Sequence, residues 1–305
     1  MTKGRIPSYL GLADEEFRRR IDEAQERMRA CDLCPRECRI NRMAGERGKC
    51  QTSARAMIAS AGPHFGEEPP LAGKYGSGTI FFAGCSLLCV FCQNCDISFH
   101  PEKTGREMDA EEIGRIMLHL SRLGCHNINL VTPTHVLAPV IEAVRWAANR
   151  GLAIPIVYNC GGYESVHSLR LLEDVVDIYM PDFKYWDPEV ASRLSGASDY
   201  PERACGAIEE MYRQVGDLDI GDDGVAIRGL LVRHLVLPGG LAGTREIVRF
   251  LHDEISPQTS VNIMGQYRPD HRAAEYPPLG CPVTPEEVRQ ARDIALRAGL
   301  RCVGH

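Results

Sequence analysis

Residues 79–95, TIFFAGCSLLCVFCQNC, decide the fold. The segment opens with a short apolar run of the kind found in strands that are buried on both faces. The run ends in a glycine and continues into Cys85, Cys89 and Cys92, which have the spacing C-x3-C-x2-C. The sequence therefore predicts a strand whose carboxyl end leads into a cysteine-bearing loop. In parallel barrels this end of the strands is where the chemistry is placed.

The same pattern repeats along the rest of the chain. Short apolar runs alternate with helical patterns, which indicates βαβ units and a parallel sheet. Six such units fit into residues 78–305, whereas an eight-unit barrel needs about 250 residues. We therefore expect an α/β fold, a partial (β/α)6 TIM-like open barrel. The predicted strands are Thr79–Ala83, Asn127–Val131, Ile154–Tyr158, Val176–Met180, Gly229–Leu237 and Ser260–Met264.

The first quarter of the chain differs from this pattern. Apolar side chains three and four positions apart predict one amphipathic helix over residues 14–30. The stretch 31–78 is dense in Gly, Pro and Cys and shows neither helical nor strand periodicity. We therefore expect it to cover the barrel without a core of its own. The predicted organisation is an N-terminal helix with a Cys-rich extension over residues 1–77, followed by the core at 78–305.

Composition excludes several classes of protein. The 305 residues are 44% hydrophobic and 25% charged, as in an ordinary globular protein. The net charge of −6 comes without a long Lys/Arg run, so no nucleic-acid surface is expected. The longest apolar stretch is about 14 residues, too short for a bilayer, and no apolar signal segment is visible at the N-terminus. These features predict a cytoplasmic protein that does not bind membranes.

Thirteen cysteines are unusual for such a chain. In a reducing compartment, clustered cysteines point to metal rather than to disulfides. The cysteine triplet, Cys85, Cys89 and Cys92, would leave one iron of a [4Fe–4S] cluster without a protein ligand, because such clusters normally take four cysteines. That iron would be open to a substrate. The alternatives are buried thiols that pack as small apolar groups, or zinc with Cys95 as a fourth ligand.

The second cysteine group comprises Cys31, Cys34, Cys38 and Cys50, with the spacing C-x2-C-x3-C-x11-C. Four closely spaced thiols can close an auxiliary [4Fe–4S] cluster or a structural zinc site. Unligated thiols are the third alternative. The surrounding segment has little hydrophobic content, so a bound metal would contribute much of its stability.

The cysteine triplet on the first strand of a partial barrel resembles the signature of the radical S-adenosylmethionine superfamily. The chain is also similar to the PflX branch of the pyruvate formate-lyase activating enzyme-like proteins. The segments that carry this similarity are CDLCPRECRINRMAGERGKC, HFGEEPPLAGKYGSGTIFFAGC, CVFCQN, NLVTPTH, YNCGGYES, DIYMPDFKYW, LVRHLVLPGG and NIMGQYRP.

The resemblance implies a [4Fe–4S] cluster on the triplet and S-adenosylmethionine as the second cofactor. Reductive cleavage of S-adenosylmethionine would give a 5′-deoxyadenosyl radical, which abstracts hydrogen from the substrate. Phe91 matches an aromatic position that packs near the adenine in this superfamily. A flavodoxin or ferredoxin is the electron donor that the resemblance implies.

Polar residues at the predicted strand ends are candidates to hold S-adenosylmethionine. Thr132 and Thr134 stand where many superfamily members have a glycine-rich motif that binds the methionine amine. Asn159 lies in a tight turn after the third strand. Asp182 and Lys184 resemble the Asp-x-Lys segment of activating enzymes, with the lysine suited to a carboxylate. A surface ion pair is the alternative for these two residues.

The last two strands of the barrel add further candidates. Arg233 and His234 stand in an apolar run, where a charged residue needs a partner such as the cofactor carboxylate or ribose. A core histidine bonded to backbone is the alternative for His234. Gln266 and Tyr267 follow the sixth strand and would complete the ring of polar groups.

Two kinds of enzyme compete as the function. One is an activating enzyme that abstracts hydrogen from a glycine backbone in a glycyl-radical enzyme, with Lys184 at its catalytic site. The other is an epimerase or dehydrogenase of a small molecule, with a thiol such as Cys160 as hydrogen donor. Simple packing is the alternative explanation for Cys160. A non-enzymatic iron–sulfur carrier is the third hypothesis, and it predicts no 5′-deoxyadenosine.

Overall fold

The computed structural model describes residues 6–304, which contain ten strands joined into one sheet. The strands are β1 (Ala56–His64), β2 (Ser77–Phe82), β3 (Arg106–Met108), β4 (Ile128–Val131), β5 (Ile156–Cys160), β6 (Ile178–Pro181), β7 (Asp219–Ile220), β8 (Ala226–Leu235), β9 (Ser260–Met264) and β10 (Arg301–Cys302). Along the sheet their order is β10-β9-β8-β6-β5-β4-β2-β1-β3, and β7 pairs with β8. All six strands predicted from the sequence are present, with ends that differ by up to about three residues.

Eleven α-helices lie in the same part of the chain. They are α1 (Asp14–Arg27), α2 (Pro69–Ala72), α3 (Cys95–Phe99), α4 (Pro101–Thr104), α5 (Ala110–Arg122), α6 (Leu137–Ala148), α7 (Val166–Arg170), α8 (Pro188–Ser195), α9 (Tyr200–Val215), α10 (Thr244–Phe250) and α11 (Pro285–Ala298). The helices α5 and α11 begin with capping boxes, which satisfy free N–H groups of the first turn. Within residues 6–304 we find no helix with the length and apolar character that a membrane crossing requires.

The six strands β2, β4, β5, β6, β8 and β9 are parallel neighbours in chain order. Strands that follow one another in this way, with their helices on one face, curl the sheet toward a barrel. The curl does not close, because the free edge of β2 pairs with the antiparallel strand β1. The α/β fold class and the partial, open TIM-like barrel predicted from the sequence are therefore confirmed.

Alternation along the strands separates two hydrophobic clusters. On β6, Ile178 and Met180 face the barrel interior, while Tyr179 faces the helices. The interior cluster includes Leu71, which comes from the segment between β1 and β2 and is fully buried. Asn127 Nδ2 donates to Leu71 O at 2.9 Å. Residues 65–76, which contain α2 and are here called the plug segment, therefore fill one end of the barrel. The polar residues of the barrel interior lie on the other side of this apolar layer.

The N-terminal part of the chain joins the barrel in two places. Helix α1 packs against α6 through its apolar face, and Arg145 pairs with Asp14. Strand β1 adds to the sheet itself, which the sequence did not predict because Ala56–His64 contains Gly and Pro and lacks an alternating pattern. Residues 31–78 therefore do more than cover the barrel, because β1 extends the barrel sheet and its first three residues are buried there.

Candidate functional site

The cysteine triplet lies on residues 83–92, here called the triplet loop, which directly follows β2. The loop is fixed at its start by Ala83 N, which donates to Met57 O, and by Gly84 N, which donates to Ile97 O. Gly84 has φ +88°, and a Cβ at this position would lie 2.5 Å from Cys50 O. Only glycine fits here, because the position combines a left-handed backbone with a close approach to the N-terminal segment.

Each sulfur of the triplet has a polar neighbour. Ser195 Oγ donates to Cys89 Sγ at 3.1 Å, and Leu87 N donates to Cys85 Sγ at 3.4 Å. The Cys92 thiol donates to Ser98 Oγ at 3.4 Å. Burial raises the pKa of Cys85 to about 12, and the nearby Cys89 and Cys92 sulfurs raise it as well. The three sulfurs are thus close enough to interact, and a cationic ligand would be needed to hold them as thiolates.

Cys95 and Phe91 flank the third cysteine of the triplet. Cys95 opens α3 and contacts Asp96 rather than the other sulfurs. Phe91 is buried and lies edge-to-face against Tyr185 and Tyr267, with ring centroids 6.1 and 5.9 Å apart. These aromatic contacts position the carboxyl end of the triplet loop.

A chain of polar side chains crosses the barrel interior next to the triplet. Lys184 Nζ lies 2.6 Å from Asp182 Oδ2. Arg233 Nε donates to the other oxygen of Asp182 at 2.8 Å, and its Nη2 donates to Asn159 Oδ1 at 2.7 Å. These four residues come from the ends of β5, β6 and β8. The structure therefore brings together four of the residues that the sequence placed at the cofactor.

The ion pairs among these polar side chains set their charge states. Burial raises the pKa of Asp182, but Arg233 and Lys184 together bring it below its usual value. Burial lowers the pKa of Lys184, yet Asp182 and Cys89 leave it above its usual value. Lys184 therefore stays protonated beside the triplet, and its ammonium group is positioned by the ion pair with Asp182. It is mostly buried, so the surface ion pair considered as an alternative does not describe it.

Two glutamates that the sequence analysis did not single out lie in the segment between β1 and β2 and join the polar side chains of the barrel interior. Glu67 Oε2 lies 3.7 Å from Arg233 Nη1, and Glu68 Oε1 accepts from Asn262 Nδ2 at 2.9 Å. The other oxygen of Glu68 is buried and has no partner among residues 6–304. Two adjacent acidic residues in the apolar stretch FGEEPPLAG were the available signal, since buried carboxylates need partners.

Three predicted site residues lie away from the barrel interior. His234 follows Arg233 and therefore faces the helices, where Nδ1 donates to Phe183 O and Nε2 accepts from Thr244 Oγ1. It is the core histidine that the sequence left open as an alternative. Cys160 follows Asn159 and packs in the helix-facing cluster. Thr134 donates to Glu164 Oε1 at 2.6 Å on the same side. A role of these three side chains at the interior site is not supported by this placement.

The remaining predicted residues lie at the mouth of the barrel. Thr132 has φ +60°, and its N–H donates to Asn159 O, so it forms a sharp turn after β4. Gln266 is exposed, and its backbone carbonyl accepts from Gln93 Nε2, which adjoins the triplet loop. Tyr267 is buried, and its hydroxyl donates to Leu279 O at 2.6 Å. Tyr267 thus positions Phe91 through the contact between their rings, while its hydroxyl is hydrogen-bonded to Leu279 O.

The second cysteine group lines one small cavity of about 10 Å³. His135, Arg36 and Arg42 line the same cavity. Burial raises the pKa of Cys34, with the other sulfurs of the group contributing. Within the described residues, no set of three or more His, Cys, Asp or Glu side chains is arranged to hold a metal ion as it stands.

Comparisons with known proteins agree with this architecture. Residues 79–230, from β2 into β8, match the radical SAM superfamily. The uncharacterized protein MJ0674 of Methanocaldococcus jannaschii is 31% identical over 289 residues, which cover 92% of this chain and 78% of that protein. The chain belongs to the radical SAM superfamily, and it is therefore an enzyme of radical chemistry. This family implies a [4Fe–4S] cluster and S-adenosylmethionine.

The donor set present here fits those two groups. Three interacting thiols on one loop, with hydrogen-bond donors at Cys85 and Cys89, match a cluster that takes three protein ligands. Lys184 and Arg233 offer cationic groups for a carboxylate, and Asp182 offers an anionic partner for an amine. The polar ends of S-adenosylmethionine thus have matching side chains beside the triplet.

Proposed function

We propose that this radical SAM enzyme is activating-enzyme-like and belongs to the PflX branch of the pyruvate formate-lyase activating enzyme-like proteins. Its substrate would be a glycine backbone in a glycyl-radical enzyme. The observation that carries this proposal is the placement of Lys184. Its ammonium group is paired with Asp182 and lies beside the triplet, in an Asp-x-Lys segment similar to that of activating enzymes.

The chain's own residues have distinct tasks in this proposal. The triplet thiolates hold the cluster, and Ser195 and the Leu87 N–H stabilise their negative charge. Lys184 binds the carboxylate of S-adenosylmethionine, and Asp182 orients Lys184 while it is itself held by Arg233. When bound, the two cofactors supply a 5′-deoxyadenosyl radical for hydrogen abstraction. The apolar layer around Leu71 excludes water from the lower barrel.

The electron donor, the protein partner and the location are part of the same proposal. We expect a flavodoxin or ferredoxin to reduce the protein, and a glycyl-radical enzyme to be its substrate. Both partners would be met in the cytoplasm. For the second cysteine group we propose a bound metal, either an auxiliary [4Fe–4S] cluster or zinc.

A small-molecule epimerase or dehydrogenase is the second candidate from the sequence. Its specific feature was a thiol hydrogen donor, and Cys160 was the residue chosen for it. Cys160 packs between strand and helices with Tyr158 and contacts Glu164, so nothing in its surroundings favours that role. We therefore retain the activating-enzyme-like function.

The first test measures the chemistry. After anaerobic reconstitution and reduction with dithionite, the wild-type protein should convert S-adenosylmethionine to 5′-deoxyadenosine. Cys89→Ser should abolish the product, because the cluster loses one of its three protein ligands. Cys302→Ser is the matched control, since this cysteine is exposed and remote in sequence, and it should retain wild-type activity. Equal product from both variants would contradict the assignment of the triplet.

The second test measures the substrate class. The reduced protein and S-adenosylmethionine are incubated with an unactivated glycyl-radical enzyme from the same organism. Electron paramagnetic resonance should detect a glycyl radical in the partner, and deuteration of the glycine Cα should change its hyperfine splitting. If 5′-deoxyadenosine forms but the partner never carries a radical, the activating-enzyme-like function is wrong, while the radical SAM chemistry stands.

A further inference from the structure

The cavity of the second cysteine group is lined by cations and contains no carboxylate in its wall. Arg36, Arg42 and Lys49 line it together with the four thiols. Arg42 is only 1% exposed, and it donates to Ser53 O, to Thr52 Oγ1 and to Cys31 Sγ at 3.8 Å. No carboxylate of residues 6–304 pairs with it. A buried guanidinium without a counter-charge is costly, so the cavity calls for an anionic occupant.

His135 lines the same cavity and has one unused ring nitrogen. Its ring is 1% exposed, and Nε2 donates to Ala83 O at 2.9 Å. Because Nε2 carries the proton, Nδ1 has a free lone pair, and it is buried without a partner in the described part of the chain. His135 therefore connects the wall of this cavity to the backbone of Ala83.

The cavity wall is also continuous with the triplet loop. The carbonyl that holds His135 belongs to Ala83, the first residue of that loop. Its neighbour Gly84 contacts Cys50 O so closely that no side chain would fit. From the other side, Arg36 donates to Ser86 O at 2.8 Å and to Leu87 O at 3.2 Å. Any group that orders the second cysteine group therefore also orders the triplet loop.

We propose that the second cysteine group binds a metal through its four thiolates, that His135 packs against this centre without ligating it, and that the centre fixes the triplet loop. Binding converts the thiols to thiolates and releases their protons to solvent. The resulting negative charge is the counter-charge that Arg42 lacks. The proposal identifies a structural role for this metal, separate from the chemistry at the triplet.

Two metal centres share this thiolate chemistry. A zinc ion suits the small cavity, but the side chains must then draw together, because they do not yet converge on one ion. A [4Fe–4S] cluster takes four cysteines that are further apart, and the cavity must then widen. Elemental analysis distinguishes the two.

The test uses the full-length chain in which all three triplet cysteines are replaced, by Cys85→Ala, Cys89→Ala and Cys92→Ala. This variant is called the triplet-free chain. This protein cannot hold the first cluster, and no S-adenosylmethionine is added, so the result is independent of the activating-enzyme-like activity and tests only the metal of the second cysteine group. After anaerobic purification we expect about one zinc ion, or about four irons with sulfide, per chain. A folded chain that retains neither metal, and whose buried thiols all react with a thiol reagent, would overturn the proposal.

Variants in that background identify the ligands. Cys38→Ser changes the least buried sulfur of the group and should remove most of the metal, whereas Cys281→Ser, at an exposed cysteine, should not. His135→Phe should retain the metal and the visible spectrum of the cobalt-substituted or iron-loaded protein, because His135 is not a ligand. A lost metal or a changed spectrum would contradict the assignment of His135 as a neighbour that does not ligate.

Hydrogen exchange tests the link to the triplet loop. When a chelator strips the metal from the triplet-free chain, the amides of residues 83–92 should exchange faster. The amides of α11, which packs against α10 and β9 instead, should exchange as before. A change spread equally over both regions, or none in the loop, would exclude the proposed role of the metal in fixing the loop.

Discussion

The two cysteine-bearing regions of this molecule differ in what surrounds their sulfurs. The triplet loop has three cysteines at the end of a barrel strand, and the cation that interacts with their sulfurs is Lys184, which already has Asp182 as a partner. The second cysteine group has four cysteines in a small cavity whose wall contains three cations and a histidine. The first region adjoins the polar side chains of the barrel interior, whereas the sulfurs of the second line a small cavity of their own.

The number and the location of the thiols suit the two regions to different tasks. Three thiols at a strand end leave a ligand position open, and the barrel interior supplies polar groups around it. Four thiols in a segment with little regular structure can saturate a metal and replace a missing hydrophobic core. Arg36 connects the two regions, because it belongs to the second group's segment and binds carbonyls of the triplet loop.

The largest effect is expected for Lys184→Met, which removes the cation that distinguishes the triplet region. Formation of 5′-deoxyadenosine should fall by about 10- to 100-fold with a raised KM for S-adenosylmethionine, because one charge-assisted hydrogen bond is lost. Steady-state assays under anaerobic conditions measure both constants. Lys103→Met, at an exposed lysine of α4, is the control and should behave as the wild type. A normal KM in Lys184→Met would exclude the proposed contact with the cofactor.

A smaller effect is expected where the two regions are joined. Arg36→Met leaves the carbonyls of Ser86, Leu87 and Ser195 without their donor. We expect the free energy of unfolding to drop by about 2–4 kcal/mol, since several acceptors in a partly buried site lose their hydrogen bonds. Anaerobic urea unfolding measures this change, and iron retention by the triplet should fall with it.

The matched control for that variant is Arg47→Met, an exposed arginine of the same segment, which should change the stability by less than about 0.5 kcal/mol. If Arg36→Met and Arg47→Met unfold at the same urea concentration, the two cysteine regions are not coupled through Arg36.

The smallest change, counted per pH unit, is expected for Glu164, a buried carboxyl that contributes to the raised pKa of Cys34. Burial raises the pKa of Glu164 to about 7, although hydrogen bonds from Thr134 and Tyr158 oppose the shift. Such a carboxyl stabilises the fold fully below its unfolded pKa of 4.5 and loses that contribution as the pH rises through about 7. The free energy of unfolding should therefore decrease over this range, by at most about 1.4 kcal/mol per pH unit.

Glu164→Gln removes the titration and should flatten the pH dependence between pH 5 and 8, as measured by urea unfolding at each pH. Glu254→Gln, at an exposed glutamate, should keep the wild-type pH dependence. Parallel curves for the wild type and Glu164→Gln would show that another group titrates.

Much of the fold was predictable because its signals are local. Buried parallel strands read as short apolar runs, and the six runs appear in the sheet in their chain order. The strand β1 could not be predicted in this way, since its own residues carry no alternation and its place between β2 and β3 is set by pairing with other strands. The plug segment was also missed, because the burial of Leu71 is decided by the interior of a barrel that forms from other strands.

For the site, the cysteine spacings, the strand-end position of the triplet and the polar pair Asp182 and Lys184 can be read from the sequence. Which neighbouring side chains share a face depends on tertiary packing. Arg233 points inward and His234 outward because successive side chains of a strand alternate, and no spacing in the sequence states which of the two faces the interior. Likewise, His135 meets the second cysteine group only because the chain returns there after more than one further strand, and long-range contacts of this kind arise from packing rather than from local pattern.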